Sequence, residues 1–262
     1  MADAGGGMPA TPRGSGRSQV AWIEIRANDL DRAAAFYGNV FGWELQMFGP
    51  SYRMYWQQGT LGMGFSSGLK PEMGNALFYV NVADIDASLA QAVELGAQVL
   101  EPKQPIAENM PNSGVFRTPA GVSVGMIDSP PAELPYIPAP WSAAEPPQPG
   151  SICSIEIHGG SELEETQRFY GDMFEWGLAE ASGPYRMFDP GGSIGGVFQG
   201  HTPQAPLMVY IYVEDVLATL AKVKAAGGEQ AGDPAAMPGM GMFGYFKDPN
   251  GVFLGLIGPE KA

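Results

Sequence analysis

Apolar and polar residues alternate from Val20 to Arg26, the period of a half-buried strand. From Asp29 to Phe41 the period changes to that of a helix. Leu30, Ala33, Ala34, Tyr37 and Phe41 fall on or near one face, and Asn28 or Asp29 suits the start as a cap. Three short strand candidates follow, Glu44 to Phe48, Tyr52 to Gln57 and Leu61 to Ser66. The pattern then starts over. A strand at Ala76 to Val82 leads to a helix at Asp84 to Leu95 that Gly96 stops, and then to strands near Val99, Val115 and Val122 to Ile127. A strand, a helix and three strands, written twice, predict an α+β fold with helices on one face of a curved, mostly antiparallel sheet.

The whole arrangement then recurs. Trp22-Ile23-Glu24-Ile25 returns as Ser154-Ile155-Glu156-Ile157, and Phe36-Tyr37-Gly38 with Phe41-Gly42-Trp43 returns as Phe169-Tyr170-Gly171 with Phe174-Glu175-Trp176. Tyr52-Arg53-Met54 matches Tyr185-Arg186-Met187, and Val82-Ala83-Asp84-Ile85 matches Val213-Glu214-Asp215-Val216. Thr118-Pro119-Ala120-Gly121-Val122 matches Asp248-Pro249-Asn250-Gly251-Val252. Five matches in order at a nearly fixed offset predict two tandem modules, residues 18–128 and 150–262, related as an intramolecular pseudo-dimer. Between them, residues 129–149 hold eight prolines from Pro130 to Pro149 and read as a stiff, extended linker, with Tyr136 and Trp141 suited to pin it on a module surface.

Charge narrows the partners. Twenty-eight acidic against 14 basic side chains give a formal charge of −14, which repels phosphate backbones and anionic lipid heads. Nucleic acid and membrane are therefore excluded as expected partners, leaving a small-molecule substrate or ligand, taken by a monomeric pseudo-dimer or a homodimer of it. The single cysteine, Cys153, excludes an intrachain disulfide and any cysteine-cluster metal site. It sits in an apolar strand pattern, where a buried inert thiol is expected. Residues 1–17 are rich in Gly, Pro and Ala and lack an apolar signal core, so a disordered tail on a cytoplasmic protein is expected.

Phe36-Tyr37 with Phe41-Gly42-Trp43 after the first strand, Asp84 to Asp86, and Asp248 to Leu256 at the end resemble the vicinal-oxygen-chelate superfamily of glyoxalases, bleomycin-resistance proteins and dioxygenases. The resemblance covers both copies, in the manner of tandem glyoxalase-like proteins. It implies the fold and a small-molecule site in each module, but it spans lyases, epimerases, dioxygenases, thiol transferases and drug-sequestering proteins. Metal-dependent members take ligands from the first, fifth and eighth strands. Carried over, those positions are Trp22, Leu77 and Gly125 in one module and Ser154, Met208 and Gly255 in the other. None is a hard-metal ligand, so neither a metal nor any other cofactor is expected at the family's usual site.

Strand alternation carries the site prediction further. With Trp22 facing inward, Glu24 and Arg26 share its side; with Ser154, so do Glu156 and His158. On the fifth strands Leu77 brings Tyr79 and Asn81, and Met208 brings Tyr210 and Tyr212. Glu156, His158 and Glu24 are the candidate proton carriers. Trp22, Arg26, Tyr79, Asn81, Ser154, Arg186, Met208, Tyr210 and Tyr212 are the candidate substrate contacts. A carboxylate desolvated among Trp, Tyr and Met rises toward the range of a general base. The structural alternative is an ion pair, for which Arg53 and Arg186 are natural partners. Arg26 beside Glu24 is expected to lower its pKa and suit it to such a pair, which leaves Glu156 as the first choice; in fosfomycin-resistance enzymes, which the module resembles, the matching position contacts substrate. The methionines Met237, Met240 and Met242, and the loop Asn109-Met110-Pro111-Asn112, suit lids over an adaptable apolar site or ordinary core filling. The glycines near 62–64 and 191–196 lack the Lys-Ser/Thr of a phosphate loop and sit in hairpin context.

Three readings remain open on sequence alone. One is a metal-independent enzyme for proton transfer, elimination, isomerisation or hydration of a small apolar or aromatic metabolite. Another is a protein that binds and sequesters a small molecule. The third is a metalloenzyme using non-standard ligands such as Glu156 and His158.

Overall fold

The computed structural model describes residues 14–129, 137, 146–180, 185–200, 205–237 and 240–260. The first module contributes β1 (Val20–Arg26), α1 (Leu30–Phe41), β2 (Gln46–Gly49), β3 (Tyr52–Tyr55) and β4 (Met63–Ser66). After a 3-10 turn over Pro71–Met73 it continues with β5 (Ala76–Asn81), α2 (Ile85–Glu94), β6 (Gln98–Pro105), β7 (Asn112–Arg117) and β8 (Ser123–Ile127). The second module repeats the order. Its first half is β9 (Ile152–His158), α3 (Leu163–Phe174), β10 (Gly177–Glu180), β11 (Tyr185–Asp189) and β12 (Gly196–Gln199). Its second half is β13 (Leu207–Tyr212), α4 (Val216–Ala225), β14 (Glu229–Gln230), β15 (Ala235–Met237), β16 (Gly241–Lys247) and β17 (Phe253–Gly258).

Each module builds one open sheet of its own. The strand order is β2-β3-β4-β1-β5-β8-β7-β6 in the first and β10-β11-β12-β9-β13-β17-β16-β14 in the second, with β15 on β16. The halves join within a copy through the antiparallel pairs β1·β5 and β9·β13. Helices start where short polar side chains satisfy the free amides: Asp29, Asp84 and Asp215 accept from the N–H groups of Arg32, Ala87 and Ala218.

The helices lie between the two sheets. Tyr37 of α1 packs on Phe65 of its own sheet at 4.8 Å, while neighbouring Phe36 meets Phe246 of the other module at 6.1 Å. Reciprocally, Tyr170 of α3 packs on Phe198 at 4.9 Å while Phe169 meets Phe116 of the first module at 6.0 Å. One continuous core therefore spans both modules, and it contains Ile23, Ile25, Phe78, Val124, Ile155, Ile157, Val209 and Leu256.

The repeated tryptophans clasp the modules together. Trp43 Nε1–H donates to the carbonyl of Gly150, just before β9, at 2.9 Å, and Trp176 Nε1–H donates to that of Ser18, just before β1, at 2.6 Å. Each module thus holds the segment that leads into the other. This corrects the expectation of a disordered tail over its last residues. Gly14 and Gly16 donate backbone bonds to Asp189 and Pro190, and Arg17 pairs with Glu175 at 2.6 Å. Residues 1–13 lie outside the described residues, as do Tyr136 and Trp141 of the linker. Ile137 is held by a bridge to Ile194 of the second module.

Candidate functional site

The outer face of each sheet, opposite the helices, gathers the side chains that alternate away from the core. In the first module Glu24 stands directly across from Leu77 on β5 and from Gly64 on β4. Tyr79 Oη–H donates to Glu24 Oε2 at 3.0 Å. In the second, Glu156 faces Met208 and Val197, and Tyr210 Oη–H donates to Glu156 Oε2 at 2.9 Å. The same carboxylate–phenol pair is therefore built twice.

Glycine makes the pair fit. Tyr79 lies across from Gly125 in parallel register, and a Cβ on Gly125 would stand 2.3 Å from the Tyr79 ring. Tyr210 covers Gly255 in the same way, at 2.4 Å. These two glycines occupy the position that supplies the third metal ligand in metal-dependent members. Here that position is the floor under a tyrosine ring, so the residues present do not fit a metal held in that manner. Among the described residues no three His, Cys, Asp or Glu side chains come together to hold a metal.

The two faces differ in closure. In the first, Trp22 lies over Gly62, where a Cβ would meet its ring at 2.1 Å, and its Nε1–H donates to Tyr52 Oη at 2.9 Å. Glu24 is left 9% exposed. Burial raises its pKa, hydrogen bonds from Tyr79 and Ser66 act against that, and the Glu101 carboxylate adds to it. In the second face Ser154 replaces Trp22, and its hydroxyl turns to the carbonyl of Gly195 at 3.3 Å. Glu156 is half-buried. Burial raises the pKa of Tyr185, Tyr210 and Tyr245 and the charge of Glu156 raises each further, so all three keep their protons at neutral pH. Apolar surface surrounds them: Met208, Phe243 and Phe253 with Met240 packed alongside.

Several expected contacts sit elsewhere. Arg26 does not modify Glu24; its Nη2–H donates to the Gly74 carbonyl at 3.0 Å, and the pKa of Glu24 moves up rather than down. Arg53 pairs with Asp31 at the start of α1. Arg186, expected to contact substrate, is the strand partner of Phe198 in the helix-side core, and its Nη1–H donates to the Tyr185 carbonyl at 3.0 Å. Both arginines thus lie on the face opposite the glutamates, because Tyr52 and Tyr185 occupy the alternate positions of the same strands. Asn81 is buried and donates to the backbone and hydroxyl oxygens of Ser129, both at 2.9 Å, fixing the start of the linker. Tyr212 joins the outer-face cluster beside Cys153, whose thiol burial keeps protonated. His158 is the last residue of β9, opposite Gln199. Met240 packs in this cluster, Met242 packs on the helix side and Met237 is exposed.

Tyr52, Tyr185 and Tyr245 also stand on these outer faces, where alternation along the first and fifth strands does not select them. The signal for the first two is the repeated Tyr-Arg-Met strand, taken one position out of phase when its arginine is set toward the site. For Tyr245 it is the register that sets it opposite Gly255.

Residues 22–125 match the model of the glyoxalase-like domain, and residues 159–256 match that of the glyoxalase/bleomycin resistance protein/dioxygenase superfamily. A glyoxylase-like domain-containing protein of Didymella fabae is 30% identical over 113 residues, covering 39% of this chain and 88% of that protein. The chain belongs to the glyoxalase/bleomycin resistance/dioxygenase superfamily. A protein of Mycobacterium tuberculosis, named "Putative glyoxylase CFP32", is 26% identical over 265 residues, covering 91% of this chain and 94% of its own length. The superfamily fold extends to solved structures of low identity. The Mn(II)-bound glyoxalase from Novosphingobium aromaticivorans superposes with a TM-score of 0.64 at 14% identity over 97% of this chain and 84% of that one. The 2,3-dioxygenase LapB from Pseudomonas sp. KL28 gives 0.61 at 15% identity, over 97% and 94%. No helix among the described residues is long and apolar enough to cross a membrane.

Proposed function

We propose that the outer face of the second module is an active site for metal-independent proton transfer on a small apolar or aromatic carbonyl compound, with Glu156 as the base. The observation that carries this reading is the Tyr210 hydrogen bond to Glu156 at 2.9 Å, with Tyr185 and Tyr245 close enough to feel the same carboxylate. A proton on the carbon next to the carbonyl passes to Glu156, and the electron pair moves onto the carbonyl oxygen. A tyrosine that keeps its proton donates a hydrogen bond to that oxygen as charge develops. Returning the proton to a different carbon completes an isomerisation; loss of a leaving group completes an elimination. The apolar wall of Met208, Phe243 and Phe253 excludes water and accepts the substrate's hydrocarbon part. The same wall supports a second reading, a protein that binds and sequesters such a molecule without reacting.

The test is hydrogen–deuterium exchange in heavy water, followed by NMR, on a panel of alkyl and aryl ketones and the glutathione hemithioacetal of methylglyoxal. The wild-type chain is expected to exchange the α-proton of at least one compound, with Glu156→Gln slower by roughly 10²–10⁴-fold. Binding of a panel compound with no exchange would replace the enzyme by the sequestering protein. Exchange unchanged in Glu156→Gln would remove Glu156 from the chemistry.

A further inference from the structure

Each open sheet has two edges, and their side chains treat them differently. An edge strand presents amides and carbonyls that lack a neighbour, and proteins blunt such edges with charge, proline, shortness or a cover. In the first module β6 carries Glu101, Pro102, Lys103 and Pro105. In the second, β14 and β15 are two and three residues long, and β10 ends in Glu180. β10 is also covered, because the Gln167 amide of α3 donates to the Ala179 carbonyl at 3.4 Å.

β2 is the first module's copy of β10, and it has lost both devices. Ala34 stands at the position of Gln167 and has no donor for the Gln46 carbonyl, and Met47 stands at the position of Glu180. Among the described residues no strand lies beyond β2. A shift of register between Met47 and Gly49 bends the strand but adds no charge.

Apolar side chains stand out along this edge instead. Met47 is 70% exposed, Phe48 44%, and Trp56, just after β3, 63%. Phe48 meets the Tyr52 ring at 6.1 Å on the outer face, whereas Met47 lies across from Arg53. From Leu45 to Leu69 the one charged residue is Arg53, which pairs with Asp31. In the second module the position of Trp56 holds Asp189.

Whatever covers β2 must bring a row of backbone donors and acceptors, an apolar surface and no charge. A second β2 brings all three. An antiparallel pair exchanges N–H and C=O groups in both directions, so a strand edge complements itself about a twofold axis. Charge points the same way. Two chains of net charge −14 repel, but along residues 45–69 they meet without setting carboxylate against carboxylate. The three exposed side chains offer roughly 400 Å² of apolar surface per copy; doubled, and rimmed by Gln46, Gln57 and Gln58, this reaches the ~1,000 Å² that a specific interface needs.

We propose that β2 is a self-association edge. Two copies of the chain pair β2 with β2, antiparallel about a twofold axis, and join their eight-stranded sheets end to end. Met47, Phe48 and Trp56 pack across the axis. The edge belongs to the first module, apart from Glu156 and its tyrosines, so the proposal stands or falls independently of any activity.

Sedimentation velocity of the full chain tests it. Between about 1 and 200 µM the wild type is expected to pass from monomer to dimer, as befits an interface at the small end of the specific range. Phe48→Lys sets like charges across the axis, and Trp56→Gln removes the largest apolar contact; each should weaken the dimer at least about tenfold. Both side chains are exposed in the single chain, so neither change disturbs its core. Val99→Lys on the β6 edge should leave the dimer unchanged. Added salt should tighten it by screening the net repulsion. Hydrogen exchange read by mass spectrometry locates the contact: amides of residues 45–50 should slow at high concentration in the wild type and not in Phe48→Lys. A chain that stays monomeric at about 200 µM would leave this edge to some other partner and overturn the proposal. A dimer that survives Phe48→Lys, that leaves these amides unprotected, or that salt weakens would overturn it as well.

Discussion

Glu24 and Glu156 hold the same place on two copies of one strand, and each accepts a hydrogen bond from the same tyrosine of the next strand. Their surroundings nevertheless make them different groups. Over Glu24, the Trp22 indole lies against Gly62 and reaches Tyr52, whose hydroxyl occupies the space that a Cβ on Gly64 would take, 1.7 Å away. Over Glu156, Ser154 removes the indole and Val197 stands where Gly64 stood, so Tyr185 cannot take the seat of Tyr52. A repeated residue has a repeated role only where the side chains around it repeat as well.

The sharpest way to break the comparison is to disable each glutamate in turn. Glu156→Gln is expected to slow α-proton exchange by roughly 10²–10⁴-fold, while Glu24→Gln leaves it within about threefold of wild type. Equal losses in the two variants would show two working sites. Trp22→Ser should convert the first face toward the second at a cost of about 3 kcal/mol, measured by urea unfolding. Added indole should then raise the melting temperature of this variant and not that of wild type. Failure of indole to do so would mean that the space collapses.

A smaller effect separates the two helix interfaces. Tyr37→Phe removes the donor to Asp248 Oδ2, leaving the backbone N–H groups of Asn250 and Val252 on Oδ1, and is expected to cost about 1–3 kcal/mol. Tyr170→Phe removes a hydroxyl that meets the Thr118 side chain rather than a carboxylate, and should cost less, within about 1 kcal/mol. The smallest effect is a slope with pH. The folded-state pKa of Glu24 is raised above its ordinary 4.5, so the folded form binds the extra proton more readily than the unfolded chain does. The stability this contributes is fully present below pH 4.5 and is lost as pH rises through the folded-state value. Glu24→Gln should therefore flatten the fall in melting temperature as pH rises from 4.5 through the folded-state value, a fall to which Asp248, raised by burial, also contributes. An unchanged slope would place the proton uptake on other groups.

Much of this architecture is legible in the amino-acid sequence. The repeat, the aspartate caps and the shared face of Trp22 and Glu24 follow from local periodicity and from side chains that satisfy nearby amides. The remainder depends on register between distant strands, which local pattern does not encode. Alternation places Arg26 beside Glu24 on one face, but the turn at Gly74 offers its guanidinium a closer acceptor. Glycines at 62 and 64 read as hairpin residues and Gly125 as a lost ligand position, whereas the three leave room for the Trp22, Tyr52 and Tyr79 rings. The hold on residues 14–17 comes from the second module, so nothing in the tail's own composition announces it.

The reciprocal tryptophan clasp sets an order of events during synthesis. When the first module leaves the ribosome, Trp43 still lacks the carbonyl of Gly150, and Phe36 lacks the ring of Phe246 that covers it. The face of the first module that bears its helices therefore stays uncovered until β16, which carries Phe246, has been added. Residues 14–17 likewise wait for Asp189 and Pro190, more than 170 positions downstream. The segment just ahead of β1 is thus fastened only after much of the second module has been made. A truncation anywhere in the second module should thus leave the first with an exposed apolar surface that favours aggregation.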